Sequence, residues 1–206
     1  MHEAHGGPPA LYRTREALIL ASASPRRREL LAGLGLHFQT VPSDFEEPPL
    51  GDRPMDEIGA VAASKAREVS RRFPRAWVLA ADTSVVMGGQ AFGKPENPAE
   101  AAKMLRRLSG RTHEVLTAVS LARRERGFLR TQVVRTRVSF RHLREEEIQA
   151  YVRTGEPMDK AGGYGIQGLG AFLVQRVHGS YTNVVGLPLA ETVELLMGCG
   201  VIEPSE

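Results

Sequence analysis

The sequence predicts an α/β fold, a mixed twisted sheet with flanking helices. Three observations carry that expectation. Short apolar runs of strand type alternate with stretches of helical period along most of the chain. Two strand-like runs follow each other over 115–140 with no helix between them, which a strictly doubly wound parallel sheet does not accommodate. The 206 residues, 42% hydrophobic and 25% charged, are ordinary for a globular domain able to bury a sizeable core.

Leu18–Ala21 reads as a strand and "SPRRRELLAGLG" (24–35) as the helix after it. Ser24 is of N-cap type, Pro25 suits the first helical position, and Gly33 or Gly35 can close the far end. Arg26, Arg27 and Arg28 then fill the first turn. Exposed amides already make that end positive, so each surface cation there is unfavourable by up to ~1 kcal/mol. Next, "VPSDFEEPPLGDRPMDE" is a polar, proline-rich loop carrying Asp44, Glu46 and Glu47. "MDEIGAVAASKAREVSRRF" is a helix with Ile58, Val61, Ala62, Val69 and Phe73 on one stripe. "WVLAADTSVVMGG" is a strand that breaks at Asp82–Thr83 and continues into a turn at Gly88–Gly89. In "ENPAEAAKMLRRLSG", Asn97 is the helix cap, Pro98 comes first, Glu100 holds the capping-box place and Gly110 is the stop.

"HEVLTAVSLARR" and "TQVVRTRVSFRHL" are strands, the second with Val134, Thr136, Val138 and Phe140 on one face. "REEEIQAYVRTG" is a helix burying Ile148, Tyr151 and Val152. A glycine-dense loop, "DKAGGYGIQGLG", leads to a strand, "AFLVQRVHG", and "LPLAETVELLMG" is the final helix. No period of 20–50 residues marks a repeat architecture.

A net charge of +3 weakly favours an anionic partner without selecting nucleic acid over a small phosphate. Cys199 is the only cysteine, which excludes an internal disulfide and points to a reducing, cytoplasmic setting. No apolar run approaches the ~18 residues of a membrane span. Residues 1–16 lack the apolar centre of a signal peptide and read as a flexible tail.

Only four of the 27 basic residues are lysines: Lys65, Lys94, Lys103 and Lys160. Positions that keep lysine in an arginine-rich chain suit a compact ammonium. Lys65 lies on the apolar stripe of its helix, as a cleft-wall residue meeting an anion would; a snorkelling side chain is the alternative. Asp82, where the apolar run breaks, has a natural place for a general base or metal ligand, or for an Asx-type turn. Lys160 and Gln167 share a loop whose glycines let backbone amides approach a ligand. Arginines at a helix start plus three lysines suit a polyphosphate, and Glu47 with Asp82 suits a divalent cation. A bound anion would make the arginine cluster tolerable; a solvated arginine-rich face accounts for Arg28 but not for its two neighbours.

The segments "SASPRRRELL", "AADTSVV", "GKP", "LSGRTHEVLTAVSL", "DKAGGYGIQG" and "GSYTNVVGLPL" closely resemble, in order, the Maf family of nucleoside triphosphate pyrophosphatases, from about Ala17 to Leu196. The resemblance implies a fold of the Maf/inosine-triphosphatase type over 17–203, with two lobes around a central cleft. It implies attack of water on the α-phosphorus of a nucleoside triphosphate, releasing pyrophosphate, assisted by a divalent cation (Mg or Mn). The family's general base falls on Asp82, its metal contacts on Glu47 and Asp82. Its substrate and phosphate contacts fall on Ser24, Arg27, Lys65, Lys94 and Lys160. Three positions that mark the dTTP/UTP branch fall on Arg26, Thr83 and Gln167. Arg144 departs from the pattern, standing where a helix-capping Ser or Thr is usual.

Alternatives at this point are the same fold acting on 7-methyl-GTP or CTP, and a non-enzymatic regulator of septum formation. The expected partners are the nucleotide and, beyond it, at most a second copy of the chain in a homodimer. Stable nucleic-acid binding is not expected, because the charge is low and no basic-aromatic pattern is present; nor is a membrane.

Overall fold

The computed structural model describes residues 10–48, 51 and 53–205. In chain order the elements are β1 (Tyr12–Thr14), β2 (Leu18–Leu20), α1 (Pro25–Ala32), β3 (Gln39–Thr40), α2 (Pro54–Arg72), β4 (Trp77–Met87), β5 (Gln90–Phe92) and α3 (Pro98–Leu108). After these come β6 (Thr112–Arg123), β7 (Phe128–Phe140), α4 (Glu145–Arg153), β8 (Val174–His178), α5 (Tyr181–Val185), α6 (Leu189–Gly198) and β9 (Ile202–Pro204). Short 3₁₀ turns fill Glu156–Asp159, Ala161–Gly163 and Leu169–Leu173.

The main sheet runs β3-β2-β4-β6-β7-β8, and β5 pairs with the far end of β4. β2 is parallel to β3 and β4, whereas the β4/β6, β6/β7 and β7/β8 pairs are antiparallel. The mixed sheet is the one expected: consecutive strands β6 and β7 need only the turn at Arg124–Gly127, where Gly127 adopts a left-handed φ of 59°.

Strand alternation divides the core. On one face, Val78 and Ala80 of β4 pack with Ala66 and Val69 of α2, while Val86 meets Ile58 and Ala62. On the other, Trp77, Leu79 and Ala81 pack with Leu31 of α1 and Leu195 and Leu196 of α6. Further along that same face, Val85 joins Leu105 of α3, Ile148 and Tyr151 of α4, and Tyr164. Two apolar bodies thus sit on one face of the sheet, and a gap separates them at Thr83.

Local signals act as expected in α3, where Asn97 Oδ1 accepts from the Glu100 amide at 2.9 Å. Glu100 itself reaches one residue further back, to the Glu96 amide. In α4, Glu147 accepts from the Arg144 amide at 2.9 Å. The half of the capping box that needs no N-cap side chain survives where a guanidinium has no lone pair to offer.

Two expectations are corrected. The polar triplet Asp82–Ser84 does not break β4, which continues to Met87 because β6 pairs with it throughout Val78–Val86. The tail expected over 1–16 is a strand over 12–14: β1 pairs antiparallel with β9, and Arg13 and Arg15 both ion-pair with Glu203. Residues 1–9 of that tail lie outside the described residues.

Candidate active site

β4 carries β6 along one edge. On its other edge β2 pairs at Trp77–Leu79 and β5 at Val85–Met87, so no strand covers the edge between Leu79 and Val85. A cleft of about 920 Å³ opens at this interruption, lined from both faces of the sheet. Because neighbouring side chains on a strand point oppositely, Asp82 faces α2 and Thr83 faces α1 and α5. Ser24, Arg26, Arg27, Glu47, Lys65, Asp82, Thr83, Lys94, Lys160 and Gln167 all line the cleft.

On the α2 side, Lys65 is the buried centre of a carboxylate pair. Its ammonium donates to Glu47 Oε1 at 2.5 Å and to Asp82 Oδ1 at 2.6 Å. The anion met by this apolar-stripe lysine is therefore provided by the protein itself. Asp82 is 13% exposed and Glu47 51% exposed, so one carboxylate is sequestered and the other reaches water. Burial pushes the Asp82 carboxyl above the ordinary carboxylate range, with Lys65 pulling against it and Glu47 adding to the rise. The two carboxylates are hard oxygen donors of the kind a divalent cation takes, and the point on which they converge is the Lys65 ammonium. Among the described residues, no group of three or more His, Cys, Asp or Glu gathers into a closed metal cage.

On the opposite face, the arginine cluster of α1 is accounted for residue by residue. Arg27 donates to the Ala81 carbonyl at 2.7 Å, the Gly186 carbonyl at 2.8 Å, Thr83 Oγ1 at 3.0 Å and Ser22 Oγ at 3.3 Å. It ties α1 to the uncovered edge of β4, filling the place a strand would take. Arg26 reaches across the cleft to Asp159 at 3.2 Å, and Arg28 is exposed. Two of the three cations misplaced at the helix start thus have protein acceptors.

Thr83 belongs to a relay. Thr117 donates its proton to the Asn183 carbonyl at 2.9 Å, so the 3.0 Å contact between Thr83 and Thr117 is a donation by Thr83. With Arg27 donating to the same oxygen, the Thr83 hydroxyl keeps one acceptor lone pair and no proton to give.

The glycine-dense loop departs from its expectation. Its amides at Gly162, Gly163, Gly165, Leu169 and Gly170 donate to protein acceptors, so they do not point at a ligand. Lys160 Nζ donates to Asp159 Oδ1 at 2.5 Å and to the Glu156 carbonyl at 2.8 Å. Lys94 and Gln167 are exposed, without a side-chain hydrogen bond among the described residues. The sequence carries no signal for Asp159, Glu156, Thr117 or the Gly186 carbonyl. Nor did it mark His113, buried under Tyr164 with Nε2 2.8 Å from the phenol oxygen.

A family model described as Maf-like protein matches residues 17–199. A dTTP/UTP pyrophosphatase of Syntrophus aciditrophicus is 52% identical over 186 residues, 90% of this chain and 91% of that protein. One from Myxococcus xanthus is 54% identical over 188 residues, 91% of this chain and 94% of that one. Among solved structures, the crystal structure of a nucleoside-triphosphatase / dITP/XTP pyrophosphatase from Mycobacterium abscessus is similar with a TM-score of 0.47 at 17% identity, covering 89% of this chain and 96% of that chain.

Proposed function

Because the chain belongs to the Maf family, we propose that it hydrolyses dTTP and UTP to the nucleoside monophosphate and pyrophosphate. The observation that carries the reading is the Glu47–Lys65–Asp82 cluster. It puts a sequestered carboxylate with a raised pKa beside a buried ammonium, at the stretch of the β4 edge that neither β2 nor β5 covers.

In this reading water attacks the α-phosphorus in line. The new bond joins water oxygen to phosphorus, the bond to the bridging oxygen of the pyrophosphate breaks, and pyrophosphate leaves. Asp82 takes the proton of the attacking water. Lys65 holds Oδ1 of that carboxylate, which leaves Oδ2 to receive it. A carboxyl raised by burial is a stronger base than an ordinary one, which suits the task near neutral pH. Lys65, Lys94 and Lys160 offset charge on the phosphates and on the leaving group. Glu47 and Asp82 fit a divalent cation, Mg or Mn: two carboxylates with phosphate oxygens make its customary shell. Bound there, the ion would supply charge neutralisation for the triphosphate.

The base would lie across the edge, toward Thr83 and Gln167. The remaining lone pair of Thr83 can accept the N3–H of uracil or thymine, and the Gln167 amide, with a donor and an acceptor, can pair with the same carbonyl-imide edge. Cytosine has no hydrogen at N3, and a buried mismatch of that kind costs about 1–3 kcal/mol. Arg26, held by Asp159 at the cleft mouth, completes the base side. The setting proposed is the cytoplasm, acting on free nucleotides, in keeping with a single cysteine; among the described residues, no helix is long and apolar enough to cross a membrane.

The test is product release from a panel of dTTP, UTP, CTP, GTP and 7-methyl-GTP, with metal and with chelator. The reading expects pyrophosphate, with dTTP and UTP leading and chelator suppressing turnover. Orthophosphate as the first product would overturn the reaction. A lead by CTP or 7-methyl-GTP would overturn the base assignment alone.

A further inference from the structure

We infer that Glu156, acting with Tyr151, is a positioning residue that sets the loop Gly165–Gly170 and, through it, the base preference attributed to Gln167. The inference rests on the pyrimidine reading above.

Glu156 follows α4 directly, after Gly155 has turned the chain with a left-handed φ of 75°. Its carboxylate accepts from three donors: Tyr151 Oη at 2.9 Å and the Gly170 amide at 3.0 Å on Oε1, and the Leu169 amide at 2.8 Å on Oε2. Tyr151, buried in the core beneath, accepts from the Gly165 amide at 3.1 Å. Both ends of the loop therefore hang on one pair of side chains, Tyr151 of α4 and Glu156 of the 3₁₀ turn after it. Between them Gln167 stands at the apex, exposed and with no side-chain hydrogen bond among the described residues.

The glycines belong to the same device. A Cβ added at Gly168 would lie 2.4 Å from Glu156 Oε2, and one at Gly170 would lie 2.5 Å from Tyr151 Oη. Only a chain without side chains at these places comes close enough for the carboxylate to reach two successive amides. The fit is also specific to a carboxylate. Both oxygens accept, whereas a carboxamide in the same volume turns a donor toward one of the donors. The Glu156 carbonyl receives Lys160 Nζ as well, so the residue fixes the position of a proposed phosphate contact along with that of Gln167.

Glu156→Gln keeps the volume and releases one end of the loop. Tyr151→Phe keeps the ring packed and frees the Gly165 amide. Kinetics on UTP and CTP would be measured for the native enzyme, both variants, Gln167→Ala, and the Glu156→Gln/Gln167→Ala double variant. The expected result is a fall of about tenfold in the UTP-over-CTP ratio of kcat/KM, carried by a higher KM for UTP, with kcat within about threefold of native. Adding Gln167→Ala to Glu156→Gln should lower the ratio no further, because both changes disable the same contact. Should Glu156→Gln fail to fold, Tyr151→Phe carries the comparison. An equal loss of kcat on both nucleotides, or additive losses in the double variant, would overturn the positioning role. A native enzyme that prefers UTP, with Glu156→Gln and Tyr151→Phe both keeping the preference, overturns this inference and leaves the pyrimidine reading standing. A native enzyme with no preference overturns both.

Discussion

Replacing Lys65 with methionine removes the ammonium that holds Glu47 and Asp82 together, and the loss can be worked out from their surroundings. Lys65 and Asp82 are 10% and 13% exposed at the side chain, so the substitution strands a nearly buried carboxylate. Breaking such a pair from one side costs about 3–5 kcal/mol. Glu47, half in water, resolvates, which puts the expected loss near the lower end, about 3 kcal/mol. In a chain of this length that corresponds to roughly 6–12 °C of Tm. The loss should depend on pH. Burial already holds the Asp82 pKa above its unfolded value, and removing Lys65 raises it further. An acid with a raised folded pKa binds more protons folded than unfolded, so stability falls as pH rises from the unfolded pKa through the folded one. Urea unfolding followed by circular dichroism should therefore give a larger deficit at about pH 8 than at about pH 5. The Lys65→Met/Asp82→Asn pair should recover most of it, since no buried charge then lacks a partner. A deficit equal at both pH values and unrelieved by Asp82→Asn would refute the reasoning.

The remaining predictions are kinetic and thermodynamic. Asp82→Asn alone should lower kcat by about 10²–10⁴-fold with nucleotide affinity largely kept; near-native turnover would remove Asp82 from the chemistry. His113, 1% exposed and held by burial at a pKa of about 4 against 6.5, is neutral when folded. Its contribution is complete above about pH 6.5 and is lost as pH falls toward about 4, on the order of 3 kcal/mol in all. Urea midpoints across that window should flatten in His113→Gln, and an unchanged slope would count against it. Lys94→Arg should impair turnover while Lys103→Arg, exposed on α3, is silent. Equal tolerance at both positions would show that the scarcity of lysine carries no functional information.

What could be read from the sequence were features with local causes. The start of α3 follows from Asn97, Pro98 and Glu100 within four residues, and the buried positions of α4 from its period. Lys65 was legible as an anomaly on an apolar stripe, though its anions lie 17 and 18 residues away in sequence. The strand break expected at Asp82–Thr83 is absent for a physical reason: polar side chains inside a strand look like its end unless the cleft that receives them is known. The pairing of β1 with β9 joins opposite ends of the chain and leaves no local trace. A place at a helix start, as in the cluster to which Arg27 belongs, points by itself only to an anion. The carbonyl partners of Arg27 at Ala81 and Gly186 come from distant elements, which no spacing encodes. Glu156 was equally hidden, since its role depends on how a loop ten or more residues later folds back onto it.

The central claim is attack at the α-phosphorus by water within the cleft. Turnover of UTP in heavy-oxygen water, with products resolved by mass spectrometry, tests it directly. Attack there puts one heavy oxygen in the UMP formed and none in the pyrophosphate released. Label in the pyrophosphate, or in orthophosphate, would contradict it.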